Sequence, residues 1–300
     1  MPPEFTDELG KTFVVHLSHG NPPSLDAGPC ERVRGLVTNG IRGAEKALIE
    51  RFPNLEIIAS LGIGVDAIDL DTARARGLVV TNTPGVVADD VADLAMALLI
   101  DRLRHVTEAN RFLLAGKWAA GPYPFATSLA GKTLGIVGLG AIGKAIARRA
   151  EAFKLRLKWY GPRAKPDMPY EQVADLEQLA RLSDVLVVSC SGGSATRHLI
   201  NARVLAALGP AGILVNVARG SIVDTEALIA ALRGGQIAGA ALDVFEHQPA
   251  VPQELMTMSN VLLTPHLGTA TRETRGTMAA MVYESLIDHF SGRSPHHRVI

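Results

Sequence analysis

The chain has 300 residues, 47% of them hydrophobic, with 29 glycines and 30 basic against 30 acidic side chains. That length can bury the cores of two domains, and the balanced charge gives no reason to expect a nucleic-acid-binding surface. No apolar run approaches the roughly 20 residues of a membrane span, the N-terminus lacks a basic, apolar, cleavable pattern, and the two distant cysteines, Cys30 and Cys190, suit reduced thiols rather than a disulfide or metal framework; a cytoplasmic protein without a metal site is expected.

In chain order, strand-like runs at 12–17, 35–38, 55–60 and 78–81, with a helix over 43–51, predict a small parallel α/β domain. A long apolar-periodic segment over 89–114 reads as one helix leading into a second domain, and 116–124, with Trp118, Tyr123 and two prolines, reads as a loop. Further strands follow at 133–137, 155–160, 185–189, 213–217, 238–242 and 261–263 with helices between, the pattern of a doubly wound sheet. The last helix, 272–290, has no strand after it and is expected to pack back on the first domain. The predicted fold class is α/β: two doubly wound, Rossmann-like or flavodoxin-like domains with a cleft between them, residues 1–98 plus 270–300 forming the first and 99–269 the second.

The most informative stretch is Gly138, Leu139, Gly140, Ala141, Ile142, Gly143, placed where the 133–137 strand turns into a helix. Gly138 permits the tight turn, Gly140 lets the backbone approach a pyrophosphate, and Gly143 lets the helix pack on the strand, while the helix N-terminus favours the anion. The next strand ends without the carboxylate that would accept hydrogen bonds from a ribose 2′-hydroxyl. It ends instead in Gly161, Pro162, Arg163, Ala164 and Lys165. Arg163 suits bidentate pairing with a 2′-phosphate and Lys165 adds a second positive charge, so NADP(H) is expected over NAD(H).

Ligands of doubly wound sheets bind beyond the carboxyl ends of the strands. At such ends stand residues 189–191, Arg219, Asp243 and His266. Each alone has an ordinary structural explanation; together, downstream of a nucleotide turn, they mark a site.

The chain resembles the D-isomer-specific 2-hydroxyacid dehydrogenases, and within them the NADPH-dependent glyoxylate, hydroxypyruvate and aryl-pyruvate reductases. The matching stretches are 60–99, GKTLGIVGLGAIGKAIARRAEAF at 131–153, NVARGSIVDTEALIAAL at 216–232, GAALDVFEHQP at 239–249 and NVLLTPHLGTAT at 260–271. The resemblance implies reduction of a small 2-keto acid to the D-2-hydroxy acid, with Arg219 binding and polarising the substrate and His266 as the acid in reduction and the base in oxidation. It implies a substrate-carboxylate loop at Leu61, Gly62, Ile63, Gly64 and Val65, and dinucleotide contacts at Cys190, Val217, Ala218, Asp243 and Gly268 as well as at Arg219 and His266. A homodimer is implied too, in which Trp118 either reaches the partner's substrate pocket or only fills the interface.

One departure bears on mechanism. The family carries Glu before the proline that follows Asp-Val-Phe, where this chain has Gln248. A carboxylate beside an imidazole raises its pKa, and an amide does not, so His266 is expected to hold its proton less well here unless Glu246 reaches in. The same Gln and His pair occurs in formate dehydrogenases, which makes formate oxidation an alternative. A dinucleotide-sensing corepressor of the same superfamily is another. A second departure is Ser191, Gly192 and Gly193 after Cys190, where relatives carry bulkier residues.

Overall fold

A computed structural model describes residues 3–17 and 30–300 of the chain. The chain divides into two compact units, Met1–Val87 with Thr271–Ile300, and Ala88–Ala270.

The first unit runs α1 (Pro3–Gly10), β1 (Gly35–Asn39), α2 (Lys46–Glu50), β2 (Ile57–Leu61), α3 (Leu70–Ala75) and β3 (Val79–Thr81), and its strands form a parallel sheet in the order β1-β2-β3. Central β2 is buried along its whole length, as expected of a parallel strand covered on both faces. Ile49, Phe52, Ile58 and Val80 pack together on one side. The last helix, Arg272–Phe290, packs on β2, with the Thr271 hydroxyl accepting from the Thr274 N–H at 3.2 Å as its N-cap. The chain then returns antiparallel beside β3, where Val299 N–H donates to Val80 O at 2.7 Å. The strand expected over 12–17 does not form. Phe13 stacks edge-on against Tyr283 and tilts against Phe290 of the last helix, the hydroxyls of Thr12 and Tyr283 meet at 2.7 Å, and Val14 is exposed. The apolar run is thus divided between a helix contact and solvent.

The second unit comprises α4 (Ala88–Arg104), α5 (Val106–Leu114), β4 (Thr133–Val137), α6 (Ala141–Ala152), β5 (Arg156–Tyr160), β6 (Glu171–Gln172), α7 (Leu176–Arg181), β7 (Val185–Val188), α8 (Ala202–Leu208), β8 (Ile213–Asn216), α9 (Thr225–Arg233), β9 (Gly239–Leu242), α10 (Gln253–Thr257) and β10 (Val261–Leu263). All its strands are parallel, in the order β10-β9-β8-β7-β4-β5-β6. Strand order reverses between β4 and β7, the switch point at which doubly wound sheets bind ligands.

The segment 89–114 is two helices rather than the expected one. His105 adopts a left-handed conformation with φ 54°, and Asp101 Oδ1 accepts from both the N–H and the hydroxyl of Thr107 at 2.7 and 2.9 Å, starting α5 afresh. Buried Arg102 pairs with Glu108 across the break. Because α4 packs along its length on α6, the whole helix belongs to the second unit. The expected boundary at 98/99 would cut through it. The two-residue β6, too short to show a sequence period, is held by Trp159 Nε1–H donating to Tyr170 O at 3.1 Å. Among the described residues no helix is long and apolar enough to cross a membrane, and no acidic, His or Cys cluster could hold a metal ion.

Candidate active site

A fully parallel sheet puts every carboxyl end on one edge. In the second unit that edge carries Gly138 after β4, Arg163 after β5, Cys190 after β7, Arg219 after β8, Asp243 after β9 and His266 after β10.

The three glycines of the turn answer to different constraints. Gly138 has φ 96°, and a Cβ there would lie 2.6 Å from Cys190 Cα; at Gly143 a Cβ would lie 2.2 Å from Gly138 O. The fold itself demands those two. Gly140 is exposed, with nothing within 4 Å of where its Cβ would stand. It is the N-cap of α6 and supplies no side-chain cap, so the first N–H groups of the helix, at Ala141 and Ile142, face an open approach. Leu139 is buried beneath the turn. This is a cradle that fits a dinucleotide pyrophosphate. Burial pushes the Cys190 thiol up to about 11, so the residue whose Cα and Cβ pack against Gly138 carries a neutral sulfur. In the β5 loop Arg163 is exposed without an ion pair to any described residue, and Lys165 is half-buried.

Around β8 to β10 the backbone is fixed by buried polar side chains. The Asn216 amide accepts from Ala218 N–H at 3.0 Å and donates to Arg219 O at 2.9 Å, holding the turn on which Val217 and Ala218 are buried and Arg219 half-buried. Arg219 Nη1 donates to Ala218 O at 2.8 Å. Gly220 lies so close to the next segment that a Cβ would fall 1.9 Å from the Phe245 carbonyl carbon. Asp243, 1% exposed, accepts from the Thr264 hydroxyl and Leu267 N–H through Oδ1, both at 2.7 Å, and from Gly268 N–H through Oδ2 at 2.9 Å. This carboxylate thereby pins both sides of His266, whose left-handed φ of 55° needs such support. His266 Nδ1 meets Gln248 Oε1 at 3.2 Å, and the same oxygen lies 3.5 Å from Phe245 N–H.

Glu246 does not reach His266. Its carboxylate accepts instead from Arg197 Nη2 and His198 Nε2, both at 2.8 Å, and from the Thr225 hydroxyl at 3.2 Å. Burial works to raise its pKa, but the hydrogen bond and charge of His198, then Thr225 and Arg197, outweigh it and hold the group below the ordinary carboxylate value. Asn216, Thr264 and this cluster went unseen in the sequence, because their partners are set by strand order and not by a motif. A cavity of about 240 Å³ lies against the same segment, lined mainly by Val223, Leu228, Leu242, Phe245 and Leu255. Neither Arg219, Gln248 nor His266 lines it, nor does any residue of the glycine turn.

In the first unit, Leu61 is the buried end of β2, and Gly62, at φ 139°, spends its N–H on the Thr83 hydroxyl at 3.0 Å. Of the loop expected to meet the substrate carboxylate, Gly62 therefore has its N–H already engaged within the fold. The N–H groups of Ile63 and Gly64 carry no hydrogen bond to a described residue, while Ile63 O is held by Asn82 Nδ2 at 2.8 Å.

Comparison with known proteins agrees with this geometry. The family described as D-isomer specific 2-hydroxyacid dehydrogenase, NAD binding domain, matches residues 96–268. The chain is 47% identical over 262 residues to a glyoxylate/hydroxypyruvate reductase A of Arabidopsis thaliana, covering 87% of this chain and 84% of that one. It is 42% identical over 288 residues to a hydroxyphenylpyruvate reductase of Plectranthus scutellarioides, covering 95% and 92%. Among solved structures, an NADPH-dependent glyoxylate/hydroxypyruvate reductase from Sinorhizobium meliloti, in complex with NADP and malonate, superposes with a TM-score of 0.87 at 41% identity, covering 91% of this chain and 87% of that one. A Rossmann-type NAD-binding unit, a second α/β unit and named reductases along most of the length lead to one assignment: the chain is an oxidoreductase belonging to the D-isomer specific 2-hydroxyacid dehydrogenase family.

Proposed function

We propose that the protein reduces a small 2-keto acid of the glyoxylate, hydroxypyruvate or aryl-pyruvate type to the D-2-hydroxy acid with NADPH. The observation that carries this reading is the His266 imidazole, held by Gln248 at 3.2 Å on the same sheet edge as the Gly138–Gly143 turn. The names of the relatives support the substrate class, and the NADP complex of one of them supports the cofactor.

Bound at the turn, the dihydronicotinamide dinucleotide supplies the hydride. Backbone N–H groups of Gly140, Ala141 and Ile142 hold the pyrophosphate, and Arg163 with Lys165 takes the 2′-phosphate. Cys190, Val217, Ala218 and Gly268 line the nucleotide side. Asp243 Oδ2, which accepts only from Gly268 among the described residues, keeps acceptor capacity for a carboxamide. Arg219 binds the keto acid through its fork of donors and polarises the carbonyl. Because Gln248 Oε1 also faces Phe245 N–H, the oxygen and not the amide nitrogen points at His266, and Nδ1 is the ring nitrogen that keeps its hydrogen. Nε2 then carries the proton that goes to the new alkoxide, and takes it back in oxidation. In the first unit, Ile63 and Gly64 N–H are donors of the kind a substrate carboxylate takes.

Exposed Leu113, Leu114, Trp118 and Phe125, on α5 and the turn after it, are covered by a second copy of this chain in a homodimer. Light scattering at twice the chain mass checks that assignment. The activity is tested by NADPH oxidation with glyoxylate, hydroxypyruvate, phenylpyruvate and 2-ketogluconate, alongside formate with NAD⁺ and NADP⁺. Turnover of a keto acid supports the reading, and formate oxidation in its place refutes it.

A further inference from the structure

The carboxylate of Glu246 joins three strand-end loops that no motif connects. Its Oε1 takes Arg197 and His198 from the loop after β7, its Oε2 takes Thr225 at the start of α9, and its own backbone lies between Phe245 and the Gln248 that holds His266. His198 is itself a crosslink. It sits at φ 49°, its N–H donates to Ser221 O at 2.8 Å in the turn directly after Arg219, and its Nδ1 stands 4.0 Å from Asp224 Oδ2. Paired backbone continues the seam, with Ile200 N–H donating to Ile222 O at 2.9 Å and Asp224 N–H to Ile200 O at 3.0 Å. The Glu246 side chain is only 9% exposed, so its charge acts with little screening by water. Beside it Gly220 approaches the Phe245 backbone so closely that no side chain fits between the two at that point.

We infer that Glu246, acting through His198 and Arg197, is a positioning residue for keto-acid reduction: it holds the Arg219 turn and the Gln248–His266 pair in register with one another. It touches no reacting atom. The inference rests on the function proposed above, and its mechanism requires that removing Glu246 harm the reaction through Gln248 and His266 rather than through general loosening.

A double-mutant cycle separates the two. The variants are Glu246→Ala, Glu246→Gln, Gln248→Ala and Glu246→Ala with Gln248→Ala, each read for kcat, KM for the keto acid, pH profile and melting temperature. Residues that act as a unit lose catalysis non-additively. Glu246→Ala is expected to lower kcat about tenfold and to move the alkaline limb of the kcat/KM profile, whereas the same change in the Gln248→Ala background costs less than about threefold. Glu246→Gln, which keeps one acceptor oxygen for Arg197 and His198 and turns an amide N–H toward the Thr225 hydroxyl, is expected to recover part of the loss. If Glu246→Ala does not fold, His198→Ala takes its place in the cycle with the same expectations. Additive losses in kcat with an unmoved pH profile overturn the positioning role while leaving the reductase reading intact. A wild-type protein that turns over no keto acid overturns both.

Discussion

His266 Nδ1 and Gln248 Oε1 stand 3.2 Å apart, a neutral amide occupying the place next to the imidazole where the family carries a carboxylate. Glu246, the nearest carboxylate in sequence, is committed to Arg197, His198 and Thr225. Glu246 therefore does not supply the imidazole with the negative charge that Gln248 lacks. Replacing Gln248 by Glu stabilises the imidazolium, so the pH at which reductase activity falls should move upward by about one to three units. Profiles of kcat/KM against pH for the wild type and Gln248→Glu check this, and coincident limbs contradict it.

The glycine turn separates requirements of the fold from requirements of the ligand. Gly138→Ala must displace Cys190 and occupy a φ of 96°, a strain of about 1–3 kcal/mol before the clash is counted. It should lower the melting temperature markedly. Gly140→Ala meets open space, so it should melt like the wild type yet bind the dinucleotide about tenfold more weakly, equivalent to ~1.4 kcal/mol. Thermal unfolding and cofactor titration of the two variants give opposite orderings if this division is correct.

Coenzyme choice is tested at the β5 loop. Exposed Arg163 has no ion pair to a described residue, so removing it should cost the fold little. With Arg163→Ala, affinity for NADPH should drop about tenfold and affinity for NADH stay near the wild-type value, because only the former offers a phosphate to the guanidinium. A uniform drop for both would assign the loop a different task.

Acid stability follows from the same carboxylate cluster. The Glu246 pKa is held below its ordinary value of 4.5 in the folded protein, so its contribution is complete above that value and is lost as pH falls through the folded one. Below about pH 4.5 the wild type should therefore lose stability more steeply than Glu246→Gln. Urea unfolding at a series of acidic pH values measures the difference in slope.

The Cys190 thiol, pushed up to about 11, should resist alkylation: at pH 8 only about one thiol in a thousand is ionised. Peptide mapping after iodoacetamide treatment of the folded chain should leave it largely unmodified. Rapid labelling would mean that the turn opens more than its packing against Gly138 allows.

How far the sequence reveals this molecule depends on the range of the interactions involved. The 133–137 strand and the 272–290 helix appear at their expected limits, because periodicity and capping are local and Thr271 caps the helix it precedes. The break at His105 stays hidden, since what makes it is a side chain four residues back, Asp101, capping Thr107 in a stretch whose apolar period continues unbroken. The same holds at the candidate site. Residues in the glycine turn and at the strand ends can be placed from spacing alone, whereas the partners of Glu246, at Arg197 and His198, become visible only once β7, β8 and β9 lie side by side.

The contact between Gly220 and the Phe245 carbonyl has a practical bearing on redesign. Two loops welded at such a joint cannot be lengthened or shortened separately, since an insertion in either would lever the other. Efforts to admit bulkier acids should therefore exchange side chains on neighbouring walls and leave this seam untouched.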